Sequence, residues 1–185
     1  MMLSARESQQ TFRALLTAMS EPGVVTEVGS DGVGRVVATL VDHEVTLVEL
    51  NETPDGHASG WATADFVVVR GGSSHGRLLE VRRGSLEEPA DGATVIYEVA
   101  EVGRGPLVLQ VAGPGVGPTP KCVAVDGLDP EEVTAFTQTR AGYPRGVDVI
   151  LLDRAGRCVC LPRSVSVEQV GHRARTEPTT TRSES

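Results

Sequence analysis

Three arginines in the last third of the chain, Arg140, Arg145 and Arg163, are the residues best suited to chemistry. Arg145 lies in a turn-rich segment, and an arginine at such a turn can bind a carboxylate or phosphate through two parallel hydrogen bonds. It can equally pair with Asp148 or Glu21, inside the fold or at an interface. The pattern favours this structural pairing and leaves the anion-binding role open.

A glycine-rich segment, residues 113–117 (GPGVG), is a candidate phosphate loop. It lacks the Gly-Lys-Ser/Thr ending of a P-loop, and Pro114 and Pro118 leave fewer backbone N–H groups to hold a phosphate. We therefore predict a tight turn after a buried strand, and no nucleotide site.

The cysteines, histidines and candidate acids do not form a recognisable catalytic or metal pattern. The four histidines are widely separated. Cys158 and Cys160 lie two residues apart, which on a strand favours two buried apolar side chains. Cys122 has no histidine close in sequence, although a triad assembled from distant residues stays open. Glu21 precedes Pro-Gly at a helix end, where a polar residue is expected for structural reasons. No catalytic, cofactor-binding or metal-ligating residue is predicted.

The bulk composition limits the classes of partner. With 185 residues, the chain is expected to form one domain with a real core. A formal charge of −8 argues against a nucleic-acid or anionic-membrane surface. Three cysteines do not make a disulfide framework, and no apolar run reaches the roughly 18 residues of a membrane span. We expect a soluble, cytoplasmic protein.

The pattern of elements predicts a mixed α/β sheet flanked by helices. Ser4 and Glu7 have the spacing of a capping box, and an apolar helical stripe follows at Phe12, Leu15, Leu16 and Met19. Asp129-Pro130 begins a later helix. Further predicted elements are a short helix at 36–41, strands at 24–28, 45–50, 66–69, 94–99, 107–111 and 122–125, a turn at 103–106, and a hairpin of strands 147–152 and 157–161. Residues 1–170 form the predicted domain and residues 171–185 a disordered polar tail.

Four segments resemble the H subunit family of the bacterial carbon–phosphorus lyase system, which acts in phosphonate metabolism. They are residues 12–23 (FRALLTAMSEPG), 84–94 (GSLEEPADGAT), 108–116 (VLQVAGPGV) and 143–164 (YPRGVDVILLDRAGRCVCLPRS). The resemblance extends over about residues 12–167 and is dense in these four segments. It implies a reduced large domain of the fold-type-I pyridoxal-phosphate transferases, without the cofactor. In agreement, Lys121 is the single lysine, and it follows a proline-rich loop that does not resemble a Schiff-base site.

The resemblance also implies an assembly. The family forms homodimers and joins the G, I and J subunits in a complex that couples a phosphonate to the ribose of ATP with loss of adenine. A non-catalytic assembly subunit is therefore the first hypothesis. The second is a small phosphate- or phosphonate-binding protein or enzyme with an arginine-lined pocket. The candidate interface or ligand-contact residues are Arg13, Glu21, Tyr143, Arg145, Asp148 and Arg163.

Overall fold

A six-stranded sheet forms the centre of the molecule. The computed structural model describes residues 3–50 and 60–172. Along the sheet the strands stand in the order β1-β8-β7-β4-β3-β2. Their bounds are β1 (Thr26–Glu27), β2 (Leu47–Leu50), β3 (Phe66–Arg70), β4 (Thr94–Glu98), β7 (Asp148–Leu152) and β8 (Arg157–Leu161). The mixed sheet flanked by helices that the sequence predicted is confirmed.

The four strands from β2 to β7 run parallel, and the last two neighbours run antiparallel. Val67 of β3 stands beside Val95 of β4, and Val95 stands beside Val149 of β7. Strands β7 and β8 form the predicted hairpin, and the two residues of β1 pair with β8. The amino ends of β4 and β7 therefore lie at the same edge of the sheet, and their carboxyl ends lie at the opposite edge.

Both faces of the sheet are buried, which explains the continuous apolar runs in its strands. Val67 and Val69 of β3 face one core, and Val68 between them faces the other. Cys158 and Cys160 of β8 belong to the same core as Val68, and both are completely buried. The prediction that these cysteines pack as small apolar side chains is confirmed.

A second, three-stranded sheet covers one face. Its order is β6-β5-β9, with β5 (Glu101–Ala112), β6 (Lys121–Asp126) and β9 (Ser166–His172). The turn predicted at residues 103–106 is wrong, because β5 continues through it and the pairing with β6 shifts between Val102 and Leu107. Gly105 makes this bulge possible, since a Cβ there would lie 2.2 Å from the Val125 carbonyl.

Three α-helices flank the large sheet. They are α1 (Ala5–Ser20) and α2 (Gly32–Leu40) on one face and α3 (Pro130–Arg140) on the other, with 3₁₀ turns at Arg77–Glu80 and Pro89–Asp91. The capping box of α1 and the Asp129 cap of α3 are both confirmed. None of the helices in the described part of the chain is long and apolar enough to cross a membrane.

The apolar stripe predicted for α1 is only partly correct. The residues of this helix that are buried are Thr11, Leu15 and Ala18. Phe12 and Leu16 are instead 46% and 53% exposed. The buried face is shifted because small side chains at Thr11 and Ala18 let the helix approach the sheet closely. At the other end of the chain, β9 continues to His172, and the rest of the predicted tail, residues 173–185, lies outside the described residues.

Candidate functional site

A cleft of about 340 Å³ opens where α3 ends, beside the amino edge of the parallel strands. The end of α3 and the turn after it form one wall, and the segment that joins β8 to β9 forms the other. Tyr143 and Arg163, both predicted as contact residues, line it together with Arg140 and Ser164. The structure therefore brings two of the three arginines of the sequence cluster into one cleft.

Arg163 holds the amino edge together. Its backbone N–H donates to Asp148 Oδ1 at 2.8 Å, and its Nε donates to the same carboxylate at 3.2 Å. Its Nη groups donate to the carbonyls of Pro89 and Gly92. Gly92 has to be a glycine, because a Cβ there would lie 2.3 Å from the backbone carbonyl oxygen of Gly146. Arg163 thus forms an internal ion pair with Asp148, as expected if this arginine has a structural role.

Arg140 is in a different electrostatic position. It is only 9% exposed, and its Nη groups donate to the neutral carbonyls of Leu161, at 2.6 Å, and Val165, at 3.4 Å. The guanidinium also lies over the Phe136 ring, 5.9 Å from its centroid. Among the described residues no carboxylate forms an ion pair with Arg140, and its buried Nε–H has no acceptor. The positive charge of Arg140 is therefore not balanced by a bound acid.

Burial is the main influence on the pKa of Arg140 and lowers it to about 10. The charge of Arg163 lowers it further, whereas Asp148 acts in the opposite direction. Since this pKa remains well above neutrality, the guanidinium is charged at physiological pH. Two guanidinium groups therefore line the cleft, and only that of Arg163 is paired with a carboxylate, Asp148, among the described residues.

The remaining predicted contact residues lie elsewhere. Arg13 and Glu21 belong to α1 and its C-cap, and both are exposed. Arg145 is exposed beside Gly142, whose carbonyl accepts the Arg145 backbone N–H at 3.0 Å, and it does not line the cleft. Their role as contacts stays a prediction.

The four segments that carried the family resemblance meet in pairs. Segment 84–94 contains Gly92 and surrounds Arg163 of segment 143–164. Segments 12–23 and 108–116 also touch: a Cβ on Gly115 would lie 2.5 Å from the Ser20 carbonyl. The close approach explains Gly92 and Gly115, and it identifies both meeting points as junctions between distant parts of the chain.

At the carboxyl edge of the sheet, charged side chains bind one another beside a second cleft of about 420 Å³. Glu98, at the end of β4, accepts from Arg70 at 2.8 Å and from Arg154 at 3.3 Å. Burial alone would raise the pKa of Glu98, but Arg70, helped by Arg154, holds it below its usual value. The acid is thus ionised and shared between two cations.

A buried polar network between β4 and α3 escaped the sequence analysis. The Glu132 carboxylate accepts from the backbone N–H of Ser74 at 2.7 Å, from the Ser74 hydroxyl at 2.8 Å, and from the Tyr97 hydroxyl. Burial, reinforced by the Glu132 charge, raises the pKa of Tyr97 well above its usual value. A tyrosine in the otherwise apolar strand TVIYE was the available signal, because a buried phenol needs a partner.

The two buried cysteines, Cys158 and Cys160, agree with a structural role. A hydrogen bond with Cys158, together with burial, raises the pKa of the Cys160 thiol well above its usual value, which disfavours the reactive thiolate. Within residues 3–50 and 60–172, no group of three or more His, Cys, Asp and Glu side chains could hold a metal ion.

The family comparison covers nearly the whole chain. The sequence model of the bacterial phosphonate metabolism protein family (PhnH) matches residues 2–168. The chain belongs to the PhnH family. The resemblance drawn from the four segments is therefore confirmed.

Two relatives are similar to this chain along most of its length. A putative C-P lyase subunit protein, HtxG, from Stutzerimonas stutzeri is 35% identical over 182 residues, which cover 90% of this chain and 89% of the relative. The PhnH subunit of alpha-D-ribose 1-methylphosphonate 5-triphosphate synthase from Rhizobium meliloti is 25% identical over 186 residues, or 88% and 91% of the two chains. In both comparisons the similarity covers most of each chain.

Proposed function

We propose that this chain is a non-catalytic subunit of the carbon–phosphorus lyase core complex, an alpha-D-ribose 1-methylphosphonate 5-triphosphate synthase, and acts in phosphonate catabolism. The observation that carries this proposal is the similarity along nearly the full length of two proteins named as subunits of such systems. The partners are then other subunits of that complex. Its G, I and J subunits, a homodimer of this chain and a cytoplasmic location are the finer predictions.

The use of the charged side chains supports a non-catalytic role. The Glu132 carboxylate accepts bonds from Ser74 and Tyr97 on both of its oxygens, and Glu98 is shared between two arginines. A general base needs an oxygen that can reach a substrate proton. Because both oxygens of Glu132 and of Glu98 are already bound, we assign these two acids to stabilising the fold.

The exposed side of α1 supports assembly. Phe12 and Leu16 stand four residues apart, so they are neighbours on the helix surface, and about half of each side chain is exposed. Large apolar side chains that remain in water are typical of interaction sites when they are adjacent. We place one subunit contact here.

Reconstitution tests this proposal. With ATP and methylphosphonate, the isolated chain should release no adenine, whereas co-expressed G, I, J and this chain should release it. Omitting the chain from the mixture, or replacing it with the Phe12→Asp/Leu16→Asp variant, should reduce the rate of adenine release. Gln9→Asp/Gln10→Asp, at two exposed positions of the same helix, controls for the two added charges. Steady adenine release by the isolated chain would contradict the non-catalytic role.

The second candidate function, a small phosphate- or phosphonate-binding protein or enzyme, is favoured by one observation. Arg140 is a buried cation without a bound acid among the described residues, and it lines a cleft. This candidate predicts binding of a small anion by the isolated chain and does not need partner subunits.

The likeness to a reduced pyridoxal-phosphate transferase, without the cofactor, also remains a proposal. Lys121 is the first residue of β6 and pairs with Val111 of β5. The last residue of β6, Asp126, pairs with Glu101 at the start of β5, just after the carboxyl end of β4. Lys121 is thus at the end of β6 that is remote from the carboxyl edge of the large sheet. This position supports the absence of a Schiff base at that edge.

A further inference from the structure

We infer that the cleft at the end of α3 binds one tetrahedral oxyanion of phosphorus, a phosphate or phosphonate group, with the Arg140 guanidinium as its charged donor. This inference goes beyond assembly and does not depend on it, since a subunit without catalytic residues can still hold a substrate or product group. Of the three arginines that the sequence analysis grouped together, it assigns ligand binding to Arg140.

The charge of the cleft supports an anionic ligand. The charge of Arg163 is balanced by Asp148, which it binds directly, whereas Arg140 donates only to neutral carbonyls. Arg140 nevertheless remains charged at neutral pH. A buried cation without a bound acid is costly, and an anion in the cleft offsets that cost.

The unused donors of Arg140 support a ligand with several acceptors. A guanidinium has five N–H donors, of which the two carbonyls use two. Among the described residues, the Nε–H and the other two N–H groups have no acceptor. Because the Nε–H is buried, an oxyanion in the cleft accepts from the remaining N–H groups of Nη1 and Nη2, through two oxygens at once.

The hydroxyl groups around the cleft favour a tetrahedral ligand over a planar carboxylate. The hydroxyls of Ser164 and Tyr143 both belong to lining residues, and neither has a hydrogen-bond partner in the part of the chain that the structure describes. They come from different walls of the cleft, so they can serve a third oxygen that a carboxylate lacks. Glu168 also lines the cleft but is exposed. Its carboxylate limits the preference for highly charged ligands.

Anion titration of the purified full chain tests the inference. Inorganic phosphate, methylphosphonate and acetate are titrated separately at constant ionic strength, and amide shifts are followed by NMR. The amide shifts should saturate with phosphate and with methylphosphonate. The anion that binds more tightly shows whether the cleft takes a phosphate or a phosphonate group. Arg140→Met should weaken binding by about tenfold or more, as expected for lost charge-assisted bonds. Arg154→Met removes an exposed charge at the opposite edge of the sheet and should leave binding unchanged.

Further variants keep the test decisive if Arg140→Met does not fold. Ser164→Ala should weaken binding by about threefold, and Ser164→Asp, which adds a carboxylate to the cleft, should abolish it. Equal losses in Arg154→Met and Arg140→Met would overturn the inference, as would wild-type affinity in either Arg140→Met or Ser164→Asp. Tighter binding of acetate than of phosphate would also overturn it and would indicate an acidic group of a partner protein. Partner recovery is measured separately, so a failed titration leaves the assembly proposal intact.

Discussion

The two edges of the parallel strands carry similar charges that are arranged differently. At the carboxyl edge, Glu98 lies between Arg70 and Arg154, so the acid and both cations are bound together. At the amino edge, Arg163 binds Asp148, and Arg140 is left with neutral carbonyls. In open α/β sheets the ligand usually binds outside the carboxyl ends of the strands. In the described part of this protein, Arg140, a buried cation without a bound acid, lies at the other edge.

The connection between β4 and β7 produces this difference. It passes through the small sheet and then through α3, whose last residue is Arg140, eight positions before the first residue of β7. The end of α3 is thereby placed beside the amino edge. Arg163, which follows β8, reaches the same edge because β8 runs antiparallel to β7. Topology therefore places two arginines together, and within residues 3–50 and 60–172 only one acid, Asp148, binds either of them.

The largest effect is expected from breaking the bound pair at the amino edge. Arg163→Met leaves Asp148 without its cation and frees the carbonyls of Pro89 and Gly92. Because both charged side chains are mostly buried, we expect a loss of about 3 kcal/mol in the free energy of unfolding, measured with denaturant. Arg154→Met, whose side chain is 88% exposed, should cost less than about 0.5 kcal/mol. If the two variants lost similar amounts of unfolding free energy, the buried ion pair at the amino edge would be no more important than the exposed one at the carboxyl edge.

A smaller loss is expected from the network between the edges. Tyr97→Phe removes one donor to the buried Glu132 carboxylate, which should cost about 1–2 kcal/mol. Tyr143→Phe, at an exposed tyrosine of the cleft, should leave thermal stability unchanged. If Tyr97→Phe were as stable as the wild type, the Glu132 network would not hold the fold, and its acid would become a catalytic candidate.

The carboxyl edge should respond to pH in a defined direction. The pKa of Glu98 is lower in the folded chain than in the unfolded chain, so the unfolded chain binds more protons near the usual Glu pKa. Glu98 therefore stabilises the fold above about pH 4.5, and this contribution is lost as the pH falls. Glu98→Gln should cost about 1 kcal/mol at pH 7, and this cost should shrink as the pH falls below about 4.5. A loss that is independent of pH would show that its charge is unimportant.

The smallest effect concerns the cofactor. Lys121 carries the only lysine ε-amine of the chain, and we expect no stoichiometric pyridoxal-phosphate adduct on it after borohydride reduction. Mass spectrometry of the intact chain and of its peptides measures this directly. A full adduct at Lys121 would contradict the cofactor-free proposal and would indicate a cofactor site at the start of β6.

Local signals predicted much of the fold. The capping box, the Asp129-Pro130 helix start and the β7–β8 hairpin each depend on residues close in sequence, and all three are confirmed. Strand β9 was missed because its alternation is weak: Glu168, Gln169 and Val170 are all exposed. The bulge in β5 was predicted as a turn, since its glycines suit either structure.

The candidate site was harder to predict than the fold. Sequence placed Arg140 and Arg163 in one cluster, but it could not tell which of them would bind Asp148. That choice depends on the pairing of β7 with β8, which brings Arg163 beside Asp148. The same limitation applies to Glu132, whose partner Tyr97 lies 35 residues away.

Co-purification tests the central claim, that this chain is a subunit of a phosphonate-processing complex, most directly. The chain is tagged and co-expressed with the G, I and J subunits, and the recovered species are weighed by light scattering and native mass spectrometry. We predict a homodimer for the chain alone and a larger assembly that contains all the partners, which Arg140→Met retains and Phe12→Asp/Leu16→Asp weakens. A monomer that recovers none of the partners would contradict the claim and leave the anion-binding protein as the better description.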